Sequence, residues 1–253
     1  MTETRWSHLT APELRALAAR DAVVLLPVGS TEQHGAHLPT GVDDFLAAEV
    51  CRRAASAAAG RVPVVVAPSV WCGLAEHHMS FGGTMTLSLP TFHALLRDVC
   101  RSVLRAGFRR ILLVNGHGGN VTALNALVGE LTAELSAPIA VTSYFTVGRK
   151  AIREALETQQ HLMHACEGET SMAMAAFPHL VREELLDRAA GPATELQSED
   201  TRPVQRFVPF EDVTGSGTAG DARAASAAKG ERMLRGCAEA LAEQLAVIWE
   251  ERR

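Results

Sequence analysis

The sequence predicts an α/β fold, with a mostly parallel central sheet covered by helices on both faces, in a single domain. Three observations carry this. Runs at 23–28, 62–68, 110–114 and 139–144 are almost continuously apolar, as strands are when both of their faces are buried. Between them the pattern changes to that of helices, and strand, loop and helix repeated in that order demand parallel crossovers. The 253 residues are 47% hydrophobic and 21% charged, enough for one sizeable core, and no linker divides them.

Thr10-Ala11-Pro12-Glu13 opens the first helix, with Thr at the cap and Pro and Glu in the first turn. A helix is expected over 45–59, stopped by Gly60. Another is expected over 90–106, where Phe92, Leu95, Leu96 and Val99 recur at helical spacing before Gly107. Helices follow at 121–135 and 149–160. The stretch 181–221 has little pattern and is expected to be an irregular excursion. A long C-terminal helix over 222–251 carries Met233, Leu234, Ala238, Leu241, Leu245 and Ile248 on one stripe.

Composition narrows the function classes. The net charge is −5 and the basic residues are scattered, so there is no nucleic-acid footprint. Five cysteines without a CxxC pair argue against a disulfide framework and fit a reducing cytoplasm. Residues 1–12 lack an apolar signal-peptide core, and no run approaches a membrane span. A cytoplasmic enzyme-like domain is expected.

The chemistry is concentrated at strand ends. Gly29-Ser-Thr-Glu32-Gln-His34-Gly-Ala-His37-Leu-Pro39 follows the first strand, with Asp43 and Asp44 just beyond. Carboxylate plus imidazole is the ligand set of zinc, manganese and iron. Glu32 and His34 are two apart, so extended backbone sends both side chains to one face. Asn115-Gly-His117-Gly118-Gly119-Asn120 follows the third strand and adds a His from a second strand end. It could also be a phosphate cradle, although it is neither GxGxxG nor a P-loop. His164-Ala-Cys-Glu167-Gly-Glu169 supplies an acid/base candidate and two more carboxylates. Glu76, His77 and His78 follow the second strand; in extended backbone only one of the two adjacent histidines would face the site. No GxSxG elbow is present, and Cys166 near His164 leaves a cysteine-hydrolase reading open.

At these residues the chain resembles the creatininase family of metal-dependent amidohydrolases. The matching stretches are 29–39 with Asp43, 76–84, 115–120, 164–171, and Gly220-Asp221 leading into 225–230. The resemblance implies a three-layer α/β/α sandwich, a homo-hexamer and two divalent metals per chain, of zinc, manganese or iron. It implies that Glu32 and His117 bind one metal and His34 the other, that Asp43 bridges, and that His164 transfers protons. Asp44 would stand behind the ligands. Glu76, His78, Gly118 and Gly119 would meet the substrate, a small molecule or short peptide.

Three positions depart from creatininases proper. Gly118 and Gly119 replace a Tyr and a metal-binding Glu, so either Glu169 or Glu167 completes the second site, or that site is weak or empty. Gln160 replaces a substrate-stacking Trp, so aromatic walls for a creatinine ring are expected to be absent. The expected activity is hydrolysis of a C–N amide bond with metal-activated water. The resemblance implies creatinine, a formamide on a pyrimidine, the mycofactocin precursor peptide or an oxidised inositol as substrate types. Glu169 would orient His164 or complete the metal shell. An inactive metal-binding scaffold is the contrasting expectation.

Overall fold

The computed structural model describes residues 3–193 and 206–250. Strands β1 (Val23–Val28), β2 (Val64–Val66), β3 (Arg110–Asn115) and β4 (Ile139–Ser143) form one parallel sheet in the order β2-β1-β3-β4. Helices α1 (Ala11–Ala19), α2 (Val42–Ala57), α3 (Leu89–Arg105), α4 (Val121–Leu135), α5 (Tyr144–Val147), α6 (Arg149–Ala155), α7 (Glu167–Ala176) and α8 (Ala227–Glu250) complete the chain.

Strand alternation divides the core into two halves. Val23 and Leu25 of β1, with Leu112 and Val114 of β3, pack with α2, α7 and α8. Val24, Leu26 and Val28, with Ile111 and Leu113, pack with α1, α3 and α4. Because both faces are covered, the strands can be apolar throughout, and burying each Val or Leu there contributes roughly 1.5–3 kcal/mol. The expected three-layer sandwich in a single domain is the architecture found.

Element boundaries differ where polar residues misled the pattern. Helix α2 begins at Val42, not at 45, so Asp43 and Asp44 stand in its first turn, where backbone N–H groups favour carboxylates. Strand β2 is only three residues, bounded by Pro63 and by an extended exit toward Pro68, since proline cannot donate to a ladder. The helix expected over 149–160 stops at Ala155. Within the excursion expected over 181–221, short 3-10 turns form at Glu183–Arg188 and Phe210–Asp212; residues 194–205 lie outside the described residues. The C-terminal helix starts at Ala227 after a 3-10 turn at Ala222–Ala224; residue 251 lies outside the described part. Among the described residues no helix is long and apolar enough to cross a membrane.

The sheet order places β1 and β3 side by side, with their crossovers running to opposite sides. Ligands in open α/β sheets gather at such a switch point, outside the carboxyl ends of the strands. Both ligand-rich loops leave from those two ends.

Candidate metal centre

Three chain segments converge over the ends of β1 and β3. The segment after β1 delivers Glu32 and His34 from its loop and Asp43 from the first turn of α2, and the loop after β3 delivers His117. The start of α7 adds Glu169, with His164 just before it. All are buried except the edge of His164, whose side chain is 11% exposed. Gly116 lets α2 press this close: a Cβ there would lie 2.4 Å from the Asp43 carbonyl.

The imidazoles are oriented from behind. His117 donates Nε2–H to the Leu74 carbonyl at 3.1 Å, which leaves Nδ1 bare. That nitrogen lies 3.0 Å from Glu32 Oε2 and 3.0 Å from Asp43 Oδ2. His34 donates Nδ1–H to the Glu32 carbonyl at 3.0 Å and aims Nε2 at Asp43 Oδ1, 3.3 Å away, and at Glu169 Oε2, 4.0 Å away. Two lone pairs therefore face three carboxylates. Both Glu32 carboxylate oxygens, His34 Nε2 and Asp43 Oδ2 are buried without a hydrogen bond. Such charge costs several kcal/mol to bury uncompensated, so the pocket calls for cations.

Three ligand groups follow from this geometry: Glu32, His34 and His164 form one, and the other two share Asp43. Of those two, Glu32, Asp43 and His117 form one and His34, Asp43 and Glu169 the other, with ligand atoms in each within 4.8 Å of one another. Mixed carboxylate and imidazole donors suit a borderline divalent ion.

Without a metal, protons take the place of cations on the His34 and His117 nitrogens. Burial lowers the basicity of both rings, but Asp43 beside His34 and Glu32 beside His117 outweigh it: His34 rises to about 9 and His117 well above its ordinary value. Burial, with Asp43 and Glu32 opposing further negative charge, lifts Glu169 to about 8 despite the pull of His34. Burial, His34 and His78 push His164 well down, so its ring is neutral near pH 7.

Backbone strain shapes the third segment. Ala165 has φ 52°, which costs a non-glycine residue roughly 1–2 kcal/mol. The turn aims its N–H at Glu169 Oε2 while the neighbouring His164 faces Glu32.

Other residues fall differently. Glu167, buried two residues before Glu169, accepts from Lys229 Nζ at 2.7 Å and from the N–H groups of Glu157 and Thr158; it does not face the cluster. Asp44 turns to Ser69. Glu76 is exposed, and among the described residues no hydrogen bond or ion pair joins it to the cluster. Both His77 and His78 reach the site, because residues Glu76–Phe81 form a 3-10 helix rather than extended chain. His78 Nε2 faces Glu32 Oε1 at 3.3 Å, and the His77 ring stacks on His117 at 5.7 Å. Gly118 and Gly119 lie in the turn that follows His117. A Cβ on Gly119 would meet His117 Nε2 at 2.5 Å, the Leu74 carbonyl at 2.6 Å and His77 Cε1 at 2.8 Å.

Two expectations are corrected, and one aromatic ring arrives from the stretch with least pattern: Phe210 packs on His78 at 4.4 Å and on His164 at 4.9 Å. No periodicity could have pointed to it. The glycine-rich loop is not a phosphate cradle, since Asn115 and Asn120 already occupy its polar groups and Asn120 also bonds the Gly29 carbonyl at 3.0 Å. Cys166 is no nucleophile: burial pushes its thiol up to about 12, and it bonds to Met163 backbone.

The family model described as creatininase, creatinine amidohydrolase, matches residues 7–245 of this chain with this centre inside it. The chain belongs to the creatininase family. Like others in that family it is an amidohydrolase acting on C–N bonds. It is 35% identical over 241 residues to a mycofactocin precursor peptide peptidase of Mycolicibacterium smegmatis, covering 92% of this chain and 90% of that one. It is 32% identical over 256 residues to the creatinine amidohydrolase of Pseudomonas putida, covering 94% of each. A solved structure described as "Creatininase Mn" superposes with a TM-score of 0.84 at 29% identity, covering 98% of this chain and 100% of that one.

Proposed function

We propose that this creatininase-family enzyme hydrolyses a peptide-like amide with two divalent metals per chain, held by Glu32, Asp43 and His117 and by His34, Asp43 and Glu169. The carrying observation is the pair of buried imidazole lone pairs aimed at three carboxylates that share Asp43. The likeness to a creatininase described with Mn supports a divalent ion. Such ions supply Lewis acidity toward water and toward a carbonyl oxygen.

The chain's own groups do the rest. His164 holds its Nε2–H on the Gln33 carbonyl at 2.7 Å, which leaves Nδ1 toward Glu32, 3.5 Å away. From there Nδ1 takes a proton from attacking water and returns it to the departing nitrogen. Its depressed basicity leaves the ring unprotonated near pH 7 and quick to release a proton once taken. The Phe210 ring covers His164 and His78 and keeps bulk water from their faces. Glu169 completes the second group of ligands, where Gly119 has no side chain to supply one.

A short peptide fits better than creatinine. Gln160, at the position of the stacking Trp, is exposed, and the 3-10 turn of His77 fills the space above Gly119. The mycofactocin peptidase relative supports the same class of bond. Elemental analysis paired with a panel of short peptides, formamides and creatinine tests the reading. Close to two ions per chain with cleavage of a peptide amide is expected. Retained metal with no amide cleaved in any class would favour a scaffold; creatinine cleavage alone would overturn the substrate class.

A further inference from the structure

Gln33 lies between His78 and His164, the two histidines that face Glu32 Oε1. Its residue is 7% exposed. The backbone settles which end of its amide faces the rings. Gly35 N–H donates to Oε1 at 2.9 Å, so the NH2 group points the other way. There it stands 2.9 Å from His78 Nδ1 and 3.1 Å from His164 Nε2.

The same residue's carbonyl lies 2.7 Å from His164 Nε2. A carbonyl only accepts, so the His164 proton is on Nε2 and that nitrogen has no lone pair left for the amide. The amide N–H therefore goes to His78 Nδ1. His78 accepts there and carries its own proton on Nε2, toward Glu32 Oε1. The chain closes over this arrangement. Gly217 has φ 74°, and a Cβ on it would stand 2.1 Å from Gln33 Oε1. The Gln33 N–H is itself held by Thr84 Oγ1 at 3.1 Å.

We propose that Gln33 is a positioning residue that sets the tautomers of two imidazoles at once. Its carbonyl makes His164 present a bare nitrogen to Glu32, and its side-chain amide makes His78 present an N–H to the same carboxylate. The two rings lie 4.4 Å apart, so one residue gives adjacent groups opposite proton roles. This deepens the hydrolase reading, whose proton carrier is His164, but the ring protons can be read with no substrate present.

The test is long-range proton–nitrogen correlation spectroscopy on the full chain, zinc-loaded and labelled with 15N-histidine. His78→Gln and His164→Gln identify the two rings by loss of their signals. In the parent protein both rings are expected as the Nε2–H form. Gln33→Glu has no N–H to give and places an acceptor before His78 Nδ1. The His78 proton is then expected on Nδ1, with His164 unchanged because the backbone carbonyl remains. Gln33→Met keeps the shape without hydrogen bonds, and averaged His78 shifts between the two tautomers are expected at unchanged zinc content. An Nδ1–H form of His78 in the parent protein overturns the proposal, as does a His78 signal that neither substitution moves. Should Gln33→Glu not fold, Gln33→Met decides alone. A His78 response without amide cleavage in any substrate class would sink the hydrolase reading and leave the tautomer assignment standing.

Discussion

Glu167 and Glu169 share the first turn of α7, both buried, yet they meet opposite surroundings. Glu167 is satisfied. Lys229 Nζ, the Thr158 hydroxyl and two backbone N–H groups close on its oxygens, and together they hold its pKa below the usual carboxylate level against the cost of burial. Glu169 is pushed the other way by burial and by Asp43 and Glu32, with the His34 ring and the Ala165 N–H pulling against them. A buried polar group with a full set of fixed partners holds the chain; one left short of positive charge is waiting for a ligand. Helical spacing separates the two roles, since residues two apart in a helix face different sides.

Breaking the satisfied side should have the largest effect. Lys229→Met strands the Glu167 charge, and denaturant unfolding should show a loss of about 3–5 kcal/mol. Adding Glu167→Gln should recover part of that loss, since the uncompensated charge is then gone. Additive losses in the double variant would mean that Lys229 acts through something other than Glu167.

Glu169→Gln breaks the unsatisfied side with the reverse signature. Metal content should fall from about two ions per chain to about one, while the metal-stripped protein keeps or gains stability because a resisted charge has been removed. Unchanged metal content would remove Glu169 from the ligand set.

The same contrast can be sharpened with pH. His34 rises from 6.5 to about 9, so the stability of its charged form is present below about 6.5 and lost as pH climbs through about 9. Glu169 rises from 4.5 to about 8, so folding is increasingly penalised as pH climbs across that window. Both act in one direction: the stripped protein should lose thermal stability between about pH 6 and pH 9. Metal-loaded protein, in which cations replace the ring protons, should hold its midpoint. Parallel curves for the two forms would contradict this account.

The smallest effect is expected at the turn between the two glutamates' partners. Ala165→Gly relieves the left-handed backbone but loosens the unfolded chain, so stability should change by less than about 1 kcal/mol. The weakened hold on Glu169 should appear instead as faster metal loss to a chelator.

Much of the molecule could be read from residue pattern alone. Strands buried on both faces are continuous apolar runs, and β1, β3 and β4 were legible for that reason. Glu32, His34, Asp43 and His117 stood out because ligand types were dense at strand ends. Other features had no local signal. The start of α2 was hidden because Asp43 and Asp44 look like loop residues, although helix N-termini favour them. Phe210 stands in a stretch without helix or strand periodicity and reaches His164 only through tertiary packing. The different fates of Glu167 and Glu169 depend on Lys229, far along the chain on α8, which no spacing rule connects to them.

The crowding above Gly119 also bears on how this site could have changed over time. A side chain there collides with the Leu74 carbonyl and with the His77 ring, so a carboxylate beside His117 requires the 74–77 turn to shift. Positions 77 and 119 are therefore epistatic, and the order of changes matters. A route that shifts the 74–77 turn and shrinks residue 77 first is passable, whereas one that begins at 119 passes through a disrupted centre. Mutational libraries built one position at a time will miss the carboxylate-bearing form of this enzyme, while paired libraries at 77 and 119 can reach it.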